Sequence, residues 1–245
     1  YTLTRAKVSV ASIKGFRRDP QDQDKWDYMI DNVNKIGYIA ITGFQENTAH
    51  ELRETLLDLQ KQGMRGLVLD LRFNPGGLLD QAVSMCDMFL SDGTIVSTRG
   101  RSPRVQPSLF KADKDTVIPP TMPMVVLVNR YSASASEIFS GAMKDLHRAL
   151  IVGHRSFGKG CVENLIPIGG NYLDPKAFIK LTMAYYYLPN GENLHRRDGS
   201  TDWGVDPDVS IDFTPKQLQQ LVEQRRDADI IHAGPATQPA AKAAA

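Results

Sequence analysis

Between residues 131 and 143 the chain reads YSASASEIFSGAM, three serines interleaved with alanines directly behind the apolar run MVVLVN. A hydroxyl at the joint of a strand and a helix can do one of two things. It can cap the helix, and Ser134 followed three residues later by Glu137 has capping-box spacing. Or it can attack an electrophile, if small neighbours let a sharp turn push it outward as in the G-x-S-x-G elbow. Ser134 is the centre of a small-x-Ser-x-small arrangement, with Ser132 and Ser136 at its flanks. The local sequence leaves both readings open.

A serine nucleophile needs a base. His147 and His154 lie downstream, one just past the helix end and the other in a turn. A third candidate is Lys159, in SFGKGC. A lysine acts as a base only if its pKa falls from about 10.4 towards ~7–8, which costs roughly 4 kcal/mol. Gly158 and Gly160 allow a tight turn that draws the side chain inward. The positive end of a helix starting at Ser134 also disfavours an ammonium. The plain alternative is a solvated charge. Residues 153–160, GHRSFGKG, nearly spell a P-loop, but Gly160 stands where a magnesium-binding hydroxyl belongs and CVENLIPI does not read as a phosphate-capping helix.

These residues need a scaffold. With 42% hydrophobic and 23% charged residues, 245 residues suffice for a sizeable core. A formal net charge of +1 gives no electrostatic reason to expect nucleic acid or a membrane surface as partner. No apolar run is long enough to cross a bilayer. Cys86 and Cys161 make neither a disulfide framework nor a zinc motif, and the five histidines form no HExxH pair, so no metal and no cofactor is expected. No signal segment opens the chain, and Tyr1 begins mid-strand, as in a fragment or processed form.

Strands are expected at 1–10, 37–44, 66–72, 93–100, 124–129, 148–153 and 177–188. Helices are expected at 46–63, 78–90, from the serine turn to about 146, and at 214–230. Residues 14–36 read as loop, and 100–120 as loop or edge excursion. The recurring strand–helix–strand order between 37 and 153 predicts a mostly parallel sheet. Later strands without intervening helices predict an antiparallel part of it. Residues 229–245 read as a disordered tail.

Four stretches in order, DLRFNPGG, LVNRYSASASEIFSGAMKDLHRALIVG, SFGKGCVE and GVDPDV, resemble the carboxyl-terminal processing proteases, the tail-specific serine peptidases. The resemblance runs from about Gly37 to Val209. It implies that Ser134 attacks and that Lys159, 159 − 134 = 25 residues later, is the base. It implies an oxyanion hole made by the backbone N–H of Ala135 and of Gly77, in preference to Gly76. Asp145 matches an acidic position that supports activity in some members; a helix-end hydrogen bond explains it equally well. Glu163 departs from the family's usual glutamine, whose amide orients the lysine. An anion there would oppose base function, whereas a protonated glutamate would imitate the amide.

The resemblance also implies the fold: an α/β, mostly parallel crotonase-like sheet with flanking helices and a smaller β-containing subdomain. Members usually carry a PDZ domain before the first core strand, and residues 1–36 are too few for one. The expected organisation is therefore an N-terminal strand and loop (1–36), a protease core (37–228) and the tail. The implied partners are proteins or peptides with accessible carboxyl-terminal tails, with neither metal nor nucleic acid, in the periplasm or another extracytoplasmic space. The alternative is a non-catalytic ligand-binding or scaffold relative, since retinoid-binding repeats resemble the same core. The Ser134–Lys159 pair argues against it.

Overall fold

The apolar runs form the middle of a seven-stranded sheet in a computed structural model that describes residues 11–100, 106–168 and 177–231. The first elements are short: β1 (Ile13–Lys14), β2 (Arg17–Arg18), β3 (Trp26–Asp27) and β4 (Met29–Asp31). β1 and β4 both pair antiparallel with β5 (Ile36–Ile41), and β2 pairs with β3. The stretch expected to be loop therefore contains strands, each too short to carry a period-2 pattern.

α1 (Thr48–Lys61) buries Leu52, Leu56 and Leu59 along one face. β6 (Gly66–Asp70) is buried at all but one position, as a strand covered on both faces must be. α2 (Leu79–Asp87) packs against α1 and leads to β7 (Thr94–Gly100) and β8 (Ser108–Lys111). β9 (Met124–Val128) returns beside β6, α3 (Ala135–Asp145) follows, and β10 (Leu150–Gly153) lies beside β9. The run β5-β6-β9-β10 is parallel throughout, and the short β13 (Val209–Ser210), which the sequence reading lacked, extends it in parallel beyond β10.

The two long strands after β10 do not join this sheet. β11 (Cys161–Pro167) and β12 (Phe178–Tyr187) combine with the earlier pair into a second, antiparallel sheet of order β11-β12-β7-β8. This corrects the expectation of one sheet with an antiparallel part. The α/β class, the mostly parallel main sheet and the smaller β-containing part stand as expected. The strand expected at 1–10 lies outside the described residues, as does the tail from residue 232.

α4 (Pro215–Asp229) starts with Thr214, whose hydroxyl accepts the Gln217 N–H, and it buries no residue fully. Polar contacts hold it. Arg18 donates to the Ala228 carbonyl at 3.1 Å, Lys14 pairs with Asp229 at 2.6 Å, and Arg225 reaches the Asp70 carboxylate and, at 2.8 Å, the Arg72 carbonyl. Asp70 ends β6 and is buried. It accepts from Tyr38 Oη at 2.6 Å, from the Arg72 amide at 2.9 Å and from the Arg72 guanidinium at 2.6–3.1 Å. Burial alone would raise its pKa, but the Arg72 hydrogen bond and the charges of Arg225 and Arg72 hold it below the usual carboxylate value. Burial and the Asp70 charge in turn push the Tyr38 phenol up to about 12, so it remains a donor.

Asp70 anchors the start of the FNPGG loop, and removing its charge strands two guanidinium groups. Asp70→Asn should lower unfolding stability at pH 7 by about 3 kcal/mol. A carboxyl whose folded pKa is depressed stabilises above its unfolded value near 4 and loses that contribution as pH falls through the folded value. The gap between wild type and Asp70→Asn in urea unfolding should therefore be full at pH 5–7 and shrink below about pH 4.

Candidate active site

Two loops at the carboxyl ends of adjacent parallel strands build the serine turn, the position where open α/β sheets gather chemistry. After β9, the Ser132 hydroxyl donates to the Leu71 carbonyl at 2.9 Å and accepts the Asn129 N–H at 2.9 Å. The Ser136 hydroxyl donates to the Asn74 carbonyl at 3.0 Å, and the Ala133 N–H reaches the same carbonyl at 3.0 Å. Asn129 Oδ1 accepts the Phe73 N–H at 3.0 Å. Both flanking serines are fully buried and tie the turn to the FNPGG loop.

Ser134 differs from them. Its backbone sits at φ 58°, ψ −116°, a combination strained for any residue with a Cβ. The surroundings over-determine it: Glu137 Oε2 accepts its N–H at 2.8 Å, and its carbonyl accepts from Ile138 N–H at 3.0 Å and Tyr186 Oη at 3.3 Å. The side chain faces a cleft shared with Ala135, Gly77, Lys159, Cys161, Glu163, Lys180 and Tyr186.

Gly76 packs against this turn at φ 98°, where a Cβ would stand 2.6 Å from the Ala133 carbonyl and 2.7 Å from Ser134 Cβ. No other residue fits that approach. Its N–H is engaged by Oδ1 of the buried Asn74 at 2.9 Å. Gly77, in contrast, lines the cleft beside Ser134 and Ala135. Ala135 is the first residue of α3, so its N–H has no intrahelical partner and lies at the positive end of the helix.

The lysine loop follows β10. Gly158, at φ 90°, turns where a Cβ would strike Trp203 at 2.6 Å and Arg196 at 2.8 Å. Phe157 N–H reaches the Ser132 carbonyl at 3.0 Å, so this loop lies directly on the serine turn. Glu137 fastens the two. Its buried carboxylate accepts Ser134 N–H (2.8 Å), Ser156 Oγ (2.6 Å), Gly158 N–H (2.6 Å) and Lys159 N–H (2.8 Å). Burial raises its pKa against the opposing pull of these bonds. All four partners are donors, since Ser156 Oγ itself accepts Val205 N–H at 2.7 Å, so the anion is the form that completes the network. Tyr186 adds a second fastening: its hydroxyl donates to the carbonyls of Ser134 and Lys159. Burial, then the charge of Glu137, push that phenol well above its usual pKa, so it stays a donor.

Lys159 Nζ is 2.8 Å from Glu163 Oε2, and Lys180 Nζ is 2.8 Å from the same oxygen. Hydrogen bonds from Lys159 and then Lys180 hold the Glu163 carboxyl below its ordinary value. These bonds favour the Glu163 anion beside the lysine, the opposite of the protonated form that would imitate an amide. The lysine is also less enclosed than expected, with 33% of its side chain exposed.

Asp145 is not brought to the cleft. It lies at the far end of α3, about 15 Å along the axis from Ala135, where it accepts the Asn190 N–H at 3.2 Å and lines a separate surface pocket with His147. His154 sits 3.6 Å from Asp212, also outside the cleft. Sequence reasoning missed Tyr186, Lys180, Ser156 and the four-way role of Glu137. The S-x-x-E spacing was a signal for Glu137, but it read as capping alone. The same carboxylate that accepts the N-cap amide also holds the lysine loop.

A model of peptidase family S41 matches residues 35–211. The chain belongs to that family. A carboxy-terminal-processing protease of Bartonella bacilliformis is 40% identical over 200 residues, 80% of this chain and 42% of the relative. A probable CtpA-like serine protease of Staphylococcus epidermidis is 40% identical over 220 residues, 88% of this chain and 41% of the relative. Among solved structures, a photosystem II D1 C-terminal processing protease aligns with a TM-score of 0.63 at 31% identity, over 85% of this chain and 50% of that one. The chain spans about two-fifths of the length of these curated relatives. The segment matched to the S41 family contains both loops and the carboxylate between them.

Glu137→Gln tests that carboxylate. An amide offers one acceptor oxygen, so its NH2 would face two donors. The variant should lose about 2–3 kcal/mol of stability yet remain folded. Displacing either loop by about 1 Å should slow fluorophosphonate labelling of Ser134 roughly 100-fold.

Proposed function

We propose that this chain is the proteolytic core of a serine endopeptidase that cuts proteins near their carboxyl termini through a Ser134–Lys159 dyad. The observation that carries the reading is that Ser134, on a strained turn at a helix N-terminus, and Lys159 face one cleft. The names of the relatives support the substrate class. In this mechanism the Lys159 amine takes the Ser134 proton as Oγ attacks the scissile carbonyl carbon. The oxygen that becomes negative is received by the N–H groups of Ala135 and Gly77, two donors fixed before the charge develops. Collapse breaks the C–N bond, and the Lys159 ammonium returns its proton to the leaving amine. Water, deprotonated by the same lysine, then hydrolyses the acyl ester.

β11 forms one end of the antiparallel sheet and lines the cleft. An extended peptide can add to such an edge as a further strand, its main chain supplying affinity. That places the scissile bond beside Ser134 without demanding a particular side chain. One observation favours the reading of a non-catalytic relative: Glu163 holds Lys159 in an ion pair. The dyad requires that lysine neutral, so pH separates the readings.

Ser134→Ala should abolish cleavage of an unstructured peptide and fluorophosphonate labelling while the protein stays folded. Ser132→Ala and Ser136→Ala, which remove buried hydrogen bonds, should keep turnover at reduced stability. Full activity in Ser134→Ala would sink the assignment.

The activity should rise with pH as Lys159 loses its proton. Because the Glu163 carboxyl is held below its ordinary value, it is ionised across the neutral range and favours the ammonium. Glu163→Gln should therefore move the rise in kcat/KM to lower pH. Lys159→Ala and Lys159→Arg should be inactive throughout, since a guanidinium keeps its proton. An active Lys159→Arg would exclude the dyad.

A further inference from the structure

Resting on the dyad reading, we propose that Lys180 is a positioning residue for this reaction: its ammonium compensates Glu163, so that Glu163 can orient Lys159 as a neutral amine. Where the resemblance implies an amide, position 163 carries a carboxylate, and the structure sets a second cation against it.

The pairing follows from strand register. Glu163 stands opposite Thr182, and Lys180 opposite Leu165, in the β11–β12 ladder. Glu163 and Lys180 are therefore diagonal neighbours on one face, a separation that long side chains span. Thr182, directly opposite, carries no charge to set against the carboxylate. Both ammonium groups meet the same oxygen, Glu163 Oε2, each at 2.8 Å.

The other groups near the lysine do not supply this compensation. On β11, burial and the Glu163 charge raise the Cys161 thiol, leaving it neutral. On β12, the Tyr186 phenol keeps its proton. On α3, the Glu137 anion is engaged by the backbone donors, the Lys159 amide among them, and as a negative charge it too favours the ammonium. Among the described residues that line the cleft, the charged ones are Lys159, Glu163 and Lys180.

When Lys159 gives up its proton, Glu163 and Lys180 remain as a balanced pair. The neutral amine donates one N–H to the carboxylate and keeps its lone pair for the Ser134 hydroxyl. Without Lys180, the same step leaves an uncompensated carboxylate in the cleft where the substrate oxygen must also become negative. Lys180 thus lowers the cost of both events.

The test is the pH profile of fluorophosphonate labelling of Ser134, together with kcat/KM on an unstructured peptide, in the full-length protein. Two ammonium groups that meet one carboxylate oxygen, each at 2.8 Å, in a partly exposed site interact enough that Lys180→Met should move the rise up by about half to one pH unit. That is roughly a three- to tenfold slower rate at pH 7. Lys180→Arg, which keeps the charge, should hold the profile in place, and Glu163→Gln in the Lys180→Met background should bring it back down. A Lys180→Met profile that superimposes on wild type, or moves to lower pH, overturns the inference. So does a Lys180→Arg profile shifted as far as that of Lys180→Met. Lys159→Ala separates the two levels: if it still labels, the dyad itself is wrong. If it is silent while Lys180→Met leaves the profile unmoved, only the role of Lys180 fails.

Discussion

The buried carboxylate of Glu137 is the interaction on which the site depends. The serine turn and the lysine loop, with Ser134 and Lys159 25 residues apart in sequence, become one object because both donate backbone N–H groups to it. Burying an anion is unfavourable unless its oxygens are fully engaged. Here every bond that offsets the burial also fixes a catalytic candidate: one holds the amide of Ser134, one the amide of Lys159, and the other two the residues just before the lysine. The strained backbone of Ser134 persists for the same reason, since a residue at positive φ relaxes when its neighbours allow it.

The three serines divide their work by burial. Ser132 and Ser136 point into the protein and bind the carbonyls of Leu71 and Asn74. That locks the serine turn to the glycine loop, whose other end is fixed by Asp70 and its guanidinium partners. Ser134, displaced by the turn, faces the cleft instead. Alternation with alanine serves this arrangement, because Ala133 and Ala135 are both buried against the loops and larger side chains would push them apart.

Much of this was legible. The continuous apolar strands and periodic helices gave the parallel sheet, and the glycine and serine clusters at strand ends marked the loops that carry the site. What could not be read depended on long-range pairing. β1 to β4 are two or three residues each, and only their partners make them strands. The second sheet was misread as part of the first because nothing in the β11 and β12 sequences names β7 as their neighbour. Tyr186 and Lys180 were missed for the same reason: an aromatic or a lysine on a strand looks ordinary until the register sets it against a particular oxygen. Asp145 shows the converse, a suggestive position that the length of α3 carries away from the cleft.

The Tyr186 hydroxyl links the two sheets in a way that constrains motion. One phenol on β12 touches the carbonyls of both Ser134 and Lys159. The antiparallel sheet therefore cannot swing away from the parallel one while leaving the site assembled. It must either break a buried hydrogen bond or drag both loops with it. The cleft is geared rather than hinged, so a force applied to the outer strands is transmitted to the distance between Ser134 and Lys159.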